Sequence, residues 1–164
     1  KAELPIFIAR QFYRHRGINY TERSGRYTAE NTRFYKPEQW RKSPLKPTQG
    51  SLENEFVKEE KLFSAEGNFS YDSSISLAKE WYEINLENEI SKEQARIILP
   101  QSQMTTTINT VDLRTLISVL SQRLDKHAQK EIRDVAKDLY DIACQEFTKE
   151  LVDKLIDIEN RLIF

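Results

Sequence analysis

The sequence predicts one α+β domain over residues 1–164, in which a β-sheet is flanked by helices and the C-terminal half is rich in helix. Two observations lead to this prediction. Apolar residues recur at helical spacing through residues 113–143, whereas β-branched side chains concentrate in one short stretch, residues 103–111. The strands are too few and too separated for a repeating βαβ series, so an α+β arrangement is expected.

The first part of the chain predicts one short helix and little other regular structure. Residues 5–14 predict a helix, because Pro5 suits a first helical position and apolar residues follow at helical spacing. Residues 15–27 predict a loop that leads into a short strand. Residues 28–71 are polar, contain several prolines and show no strong periodicity, so they are expected to form a long loop.

Helices are expected on both sides of the strand at residues 103–111. One is predicted over residues 73–89, and Ser91 begins an S-x-x-Q pattern typical of a capping box, whose helix Pro100 would end. After the strand, Asp112 can cap an amphipathic helix. The apolar stripes of this helix and of a longer one behind it comprise Leu113, Leu116, Ile117, Leu120 and Leu124, then Ala128, Ile132, Val135, Leu139, Ile142 and Ala143.

Composition and charge narrow the functional classes. No apolar run approaches the roughly 20 residues that span a bilayer, so no membrane association is expected. Cys144 is the only cysteine, which excludes an internal disulfide and any multi-cysteine metal site, and a reducing, cytoplasmic location fits. Residues 1–50 carry eleven Lys/Arg against four Asp/Glu, whereas residues 51–164 carry fourteen against twenty-two. The basic first part predicts an anionic ligand or, equally, docking on the acidic part within or between subunits.

The densest chemical feature is the run R-H-R-G-I-N-Y-T-E-R-S-G-R-Y, from Arg14 to Tyr27. Its arginines offer planar forks of donors that suit phosphate. Gly25, between Ser24 and Arg26, would let backbone N–H groups approach a ligand oxygen closely. Gln11 shares a helix face with Arg14, and an amide beside a guanidinium suits a ligand with both a heterocycle edge and a phosphate. The run therefore predicts phosphate or nucleotide binding.

Other interpretations of the same residues stay open at this point. The run could be a basic helix end solvated on the surface. A nucleophile–base pair of Ser24 and His15 is disfavoured, since no orienting acid or strand–turn–helix elbow accompanies them. The sequence gives even less support to metal ligation by His15 and His127, so no metal site is expected. His127 more simply starts or caps the last long helix, and Cys144 is expected to be an inert core residue.

Several motifs resemble flavin-dependent thymidylate synthases. R-H-R, seven residues, then Ser is that family's signature, and residues 14–16 with Ser24 match it at the required gap. The resemblance extends to P-I-F-I-A-R-Q-F-Y before this signature and to S-G-R-Y and F-Y-K-P-E-Q-W-R after it. It also covers E-Q-A-R-I-I-L-P at residues 93–100 and the late helical block at residues 113–132. Motifs in the right order over nearly the whole chain make coincidence a poor explanation.

The resemblance implies a fold, an activity and a set of site residues. The implied enzyme methylates dUMP with methylenetetrahydrofolate as carbon donor and NADPH-reduced FAD as hydride source, in a homotetramer whose sites straddle subunits. The implied dUMP-binding residues are Gln11, Arg14, Glu22, Arg23, Ser24, Gly25, Arg26, Arg96 and Arg123. The implied FAD-binding residues are Arg14, His15, Arg16, Glu22, Asp112, Leu113, Arg114 and Ser118. Arg123 is the implied catalytic residue, because it would stabilise the uracil ionised at N3, and Ser24 would bind substrate without acting as a nucleophile.

The chain also departs from the family pattern. Thr21 stands where asparagine is common, Arg23 where an apolar residue is common, and Ser118 where a flavin-contacting asparagine is common. The family's N-terminal portion, which carries a histidine-bearing flavin segment and part of the sheet, is expected to be missing. These departures motivate the alternative of a non-catalytic nucleotide-binding homologue. A third hypothesis, a nucleic-acid-binding module using the basic part, predicts a steep salt dependence.

Overall fold

The computed structural model describes residues 1–25, 32–45, 51–58 and 70–163. In these residues the order of elements is β1 (Ala2–Pro5), α1 (Ile6–Phe12), β2 (Asn19–Glu22), α2 (Tyr71–Glu87), α3 (Lys92–Ala95), β3 (Met104–Thr110), α4 (Leu113–Arg123), α5 (Lys130–Glu146) and α6 (Lys149–Ile163). A 3-10 turn over Arg96–Ile98 continues α3. The α+β class and the helix-rich C-terminal half are therefore confirmed.

The sheet has three strands in the order β1-β3-β2, so the β-branched strand predicted at residues 103–111 is central. β1 runs antiparallel to β3 with Ala2 opposite Thr107 and Pro5 opposite Met104. Strand β1 was not predicted, because four residues with one proline carry no clear alternation. Pro5 consequently ends a strand, and α1 begins one residue later than predicted.

Two compact units make up the chain. The first comprises Lys1–Ala9, Thr21–Arg41 and Asn54–Ile108, and the second comprises Arg10–Tyr20, Lys42–Glu53 and Asn109–Phe164. In the second unit, α4, α5 and α6 pack around a core of Ile117, Leu120, Ala136, Ala143 and Val152. The expectation of a single domain over residues 1–164 stays a prediction.

The N-termini of the helices confirm one capping prediction and contradict another. Asp112 caps α4 as predicted, because its Oδ1 accepts from the backbone N–H of Thr115 at 2.7 Å. Ser91 is the N-cap of α3 but its side chain makes no capping bond, so the predicted capping box there is wrong. A reciprocal box forms instead between Ser70 and Ser73 at the start of α2.

The end of the chain differs from the prediction in two ways. α5 is capped at Gln129, so His127 does not start or cap that helix; it lies in the preceding turn, where its N–H donates to Asp125 Oδ1 at 2.7 Å. A further amphipathic helix, α6, follows α5 and was not predicted as a separate element. Within the described part of the chain, no helix is long and apolar enough to span a membrane.

Candidate functional site

Arg123 and His15 form the centre of the candidate site in the second unit. Arg123 lies in the last turn of α4, and His15 follows the end of α1. The Nε–H of Arg123 donates to Nε2 of His15 at 2.8 Å, and its Nη2 lies 3.5 Å from the carbonyl oxygen of Gln11. Both side chains are partly buried, so the guanidinium is held in one orientation beside the end of α1.

The charges in this cluster affect one another. Burial, and then the positive charge of Arg123, holds the pKa of His15 below its ordinary value. Burial, and then the nearby charge of Arg14, lowers the pKa of Arg123. Because the pKa of His15 is lowered and its Nε2 accepts a hydrogen bond, the imidazole is neutral near pH 7 with its proton on Nδ1. The cluster thus contains a neutral acceptor and guanidinium groups that repel each other.

Among the residues that the structure describes, the arginines of this cluster have no carboxylate counter-ion. Within residues 1–25, 32–45, 51–58 and 70–163, no carboxylate forms an ion pair with Arg14, Arg16 or Arg123. Elsewhere in the same unit Arg133 is paired with Glu53, so acidic partners are available to arginines that have a structural role. The partly buried guanidinium of Arg123, with exposed Arg14 nearby and no carboxylate partner for either in the described residues, favours an anionic ligand.

The R-H-R turn is packed against the start of α4. Gly17 has φ of 91°, a left-handed conformation that disfavours side chains. A Cβ at this position would lie 2.7 Å from Thr115 Oγ1 and 3.3 Å from its Cγ2. Glycine therefore permits the turn to approach the first turn of α4, which carries the predicted FAD-binding residues Asp112, Leu113 and Arg114.

Two other predicted residues of this unit already have side-chain partners. Gln11 Nε2 donates to Oε1 of Gln129, the N-cap residue of α5, at 2.7 Å. Ser118 Oγ accepts from Gln122 Nε2 at 3.2 Å along α4. The amide oxygen of Gln11 is the part of this side chain that remains to accept from a ligand N–H.

The predicted residues of the first unit form a second group. Glu22 ends β2 with an exposed side chain, and the N–H of Arg23 donates to the Thr106 carbonyl at 2.9 Å. Ser24 is partly buried. A Cβ on Gly25 would lie 3.5 Å from Nη1 of Arg96, so the S-G-R segment and the arginine of the A-R-I-I-L-P motif are neighbours. Arg26 lies outside the described residues.

Some residues near the R-H-R turn and the end of α1 make contacts that the sequence did not indicate. Thr115 and Gln129 were not singled out, since a small polar residue on a helix and a helix N-cap are common and carry no chemical signal of their own. No contact was predicted between Tyr13 and Tyr20, although they lie directly before and after the R-H-R turn.

Among the described residues, no group of three or more His, Cys, Asp or Glu side chains could hold a metal ion.

Comparison with known proteins adds family evidence to this geometry. Residues 1–147 match the family described as thymidylate synthase complementing protein. A flavin-dependent thymidylate synthase of Kosmotoga olearia is 37% identical over 134 residues, covering 82% of this chain and 56% of that protein. The enzyme of the same description from Dictyostelium discoideum is 36% identical over 153 residues, covering 88% of this chain and 49% of its own length. The chain thus spans about half the length of these curated relatives.

A solved structure has a similar fold. The UMP/dUMP methylase PolB from Streptomyces cacaoi, bound with 5-Br UMP, superposes with a TM-score of 0.78 at 25% sequence identity. The alignment covers 97% of this chain and 72% of PolB. Its sheet-and-helix arrangement agrees with the fold that the resemblance of the motifs implies.

Proposed function

The chain belongs to the thymidylate synthase complementing protein family, and on this premise we propose that the full-length protein is a flavin-dependent thymidylate synthase. It converts dUMP to dTMP, with methylenetetrahydrofolate as carbon donor and NADPH as the source of reducing equivalents. It acts in the cytoplasm as a homotetramer with active sites at subunit interfaces, and binds neither nucleic acid nor membrane. Relatives described as flavin-dependent thymidylate synthases support the assignment, as does the similarity to a UMP/dUMP methylase.

One observation carries this proposal, namely the cluster of Arg14, His15 and Arg123. The pKa of Arg123 is lowered by burial and by a second cation, so an anion that enters the cluster relieves an existing repulsion. A ligand carrying a phosphate and an ionisable heterocycle satisfies such a site better than a neutral one.

Arg123 is suited to stabilise a pyrimidine ionised at N3. His15 occupies its Nε–H, and Nη2 lies near the Gln11 carbonyl, so the fork is oriented before substrate binds. A cation held beside N3 favours the uracil anion and raises the electron density at C5, the carbon to be methylated. Preorganisation matters here, because donors that need no reorientation contribute most to transition-state stabilisation.

A flavin is compatible with the residues around the R-H-R turn. The donor set consists of Arg14 and Arg16, which are exposed and have no carboxylate partner in the described residues. Gly17, the next residue in the chain, packs against Thr115 in the first turn of α4. Cationic forks are suited to a diphosphate. Residues 14–16 and 112–114 would hold FAD, with Ser118 one turn further along α4. Bound there, the flavin would supply the hydride that completes the methyl group.

The second group is proposed to bind the phosphate of dUMP. Gly25 allows close backbone approach, and Arg96 lies beside it with an exposed guanidinium. Charge-assisted hydrogen bonds to phosphate are strong, and the binding energy of the phosphate can position the base. Glu22, Arg23, Ser24 and Arg26 remain proposed ligands of the same substrate on the resemblance alone.

Purified full-length protein tests this proposal directly. It should be yellow, oxidise NADPH in a dUMP-dependent manner, and release tritium from C5-labelled dUMP. Arg123→Met should lower turnover by about 10²- to 10³-fold, whereas Arg161→Met, which removes an exposed arginine at the end of α6, should leave it unchanged. Absence of flavin, NADPH oxidation and tritium release together would refute the proposal. Tight binding of dUMP without flavin or turnover would identify the non-catalytic homologue instead.

A further inference from the structure

The two tyrosines that flank the R-H-R turn are stacked on each other. The ring centroids of Tyr13 and Tyr20 are 3.7 Å apart, and the ring planes differ by 7°. Parallel rings at this separation are in van der Waals contact over their whole faces. Tyr13 follows the last residue of α1 and Tyr20 lies in β2, so the contact joins the two ends of the turn formed by residues 14–19.

The second half of this turn is less restrained than its start, where the N–H of His15 donates to the Phe12 carbonyl at 3.0 Å. The N–H of Ile18 lies 3.5 Å from the His15 carbonyl, at the limit of a hydrogen bond. β2 is an edge strand of four residues whose side chains are all exposed. The turn also carries the charged side chains of Arg14 and Arg16, and Arg14 and Arg123 repel each other. The Tyr13–Tyr20 stack therefore adds a direct contact between the two ends of this turn.

The packing of His15 depends on the same end of α1. The ring of His15 lies at a centroid distance of 6.5 Å from Phe12, which is buried, and the N–H of His15 donates to the Phe12 carbonyl at 3.0 Å. Tyr13 lies between Phe12 and the R-H-R residues, so fixing its ring also fixes the backbone from which Arg14 and His15 extend. Closure of the turn therefore determines whether His15 reaches Arg123.

We propose that Tyr13 and Tyr20 act as positioning residues, whose stacked rings close the R-H-R turn and keep His15 within hydrogen-bond distance of Arg123. This inference deepens the proposed function, because the turn matters for catalysis only if it binds dUMP and flavin. Neither tyrosine needs to touch the substrate. Tyr20 is 48% exposed, so its ring contributes little to the buried core.

Substitution of Tyr20 in the full-length protein tests this role. Tyr20→Leu removes the stacked ring, and Tyr20→Phe, which keeps it, is the matched control. Tyr20→Ile also removes the ring but preserves the preference of this position for a strand. Without the ring, the dissociation constant for dUMP should rise about three- to tenfold. Tyr20→Phe should bind dUMP as the unsubstituted protein does.

Titration of His15 gives a readout that does not depend on activity. Its imidazole signal in the NMR spectrum is identified by its loss in His15→Gln. In the unsubstituted protein and in Tyr20→Phe its pKa should lie below the ordinary value of about 6.5. In Tyr20→Leu and Tyr20→Ile it should move back toward that value, because His15 leaves the buried position beside Arg123.

The outcomes separate this inference from the proposed function. Unchanged His15 titration and dUMP affinity in a folded Tyr20→Leu protein would overturn the positioning role. Loss of folding in both Tyr20→Leu and Tyr20→Ile, with Tyr20→Phe intact, would also overturn it, since the stack would then support the whole fold. If the unsubstituted protein bound neither dUMP nor flavin, the proposed function would fail, while the His15 titration would still report on the turn.

Discussion

Nε of Arg123 donates a hydrogen bond to Nε2 of His15 at 2.8 Å, and this contact requires a neutral imidazole. Protonation of His15 would convert the acceptor into a donor and place a new positive charge beside an arginine. The hydrogen bond and the charge state of the site are therefore linked, and both depend on pH.

Stability should fall on acidification because of this contact. The pKa of His15 is lowered in the folded state, so between that pKa and the ordinary value of about 6.5 the unfolded chain binds more protons. The contribution of His15 is complete above pH 6.5 and is lost as the pH falls through the lowered value. Urea unfolding at pH 7.5 and pH 5 should show a larger loss for the unsubstituted protein than for His15→Gln, which keeps an acceptor but does not titrate.

His127 provides the control for this pH dependence. It lies exposed in the turn before α5, where its N–H donates to Asp125 Oδ1. His127→Gln should therefore retain the pH dependence of the unsubstituted protein. An identical loss of stability on acidification in the unsubstituted protein and in His15→Gln would contradict the prediction.

Arg14 should favour ligand binding at the expense of stability. Its charge lowers the pKa of Arg123, and no carboxylate in the described residues pairs with it. Arg14→Gln removes the repulsion and should raise the free energy of unfolding by about a few tenths of a kcal/mol at low salt, while weakening dUMP binding roughly tenfold or more. Added salt should stabilise the unsubstituted protein more than the variant, because it screens the same repulsion.

Arg161→Gln is the matched control, since it removes a charge of the same kind from an exposed position at the end of α6. It should change neither dUMP affinity nor the salt dependence. A marked loss of stability in Arg14→Gln would show that the arginine has a structural partner and would count against an anion site.

The close approach of Gly17 to Thr115 gives a prediction about the turn itself. Gly17→Ala introduces a Cβ at 2.7 Å from Thr115 Oγ1 and places a side chain at φ of 91°. The free energy of unfolding should fall by about 1–3 kcal/mol. Adding Thr115→Ala should restore the part due to the steric clash but not the part due to the backbone conformation.

A double-mutant cycle in urea separates these two parts. Thr115→Ala alone is the reference, because it removes Oγ1 and Cγ2 without altering the turn. If Gly17→Ala were as stable as the unsubstituted protein, the turn would have moved away from α4, and the packing described for residues 15–17 would be incorrect.

Local rules predicted α4 and its place in the core of the second unit, although they missed α6 and the cap of α5. Asp112 caps α4, and the stripe with Ile117 and Leu120 forms the core, since a helix with one continuous apolar face has one way to bury it. Strand β1 was not predicted, and the capping box predicted at Ser91 is wrong, because an apolar pattern decides neither feature. A four-residue strand is defined by its pairing with β3, and a capping box depends on a side-chain rotamer that the pattern alone does not determine.

The candidate site was only partly accessible from the sequence. The R-H-R signature pointed to Arg14 and His15, and the late helical block pointed to Arg123. Their meeting depends on the packing of α1 against the end of α4, which no local pattern specifies. The Tyr13–Tyr20 stack was missed because two tyrosines seven residues apart carry no signal until a turn brings their rings together.

Substitution of Gly25 should weaken dUMP binding with little effect on stability, whereas substitution of Gly17 should lower stability. A Cβ at Gly25 would lie 3.5 Å from Arg96 Nη1 and 3.9 Å from its Cδ, which are ordinary contacts, and its φ is not in the left-handed region. Gly25→Ala should therefore change the free energy of unfolding by less than about 0.5 kcal/mol. If the glycine serves to let the dUMP phosphate approach the backbone, calorimetric titration should show roughly tenfold weaker binding, a loss of about 1.4 kcal/mol. Gly17→Ala is the counterpart, because its main expected effect is a loss of stability. If Gly25→Ala bound dUMP as tightly as the unsubstituted protein, Gly25 would not belong to the proposed phosphate site.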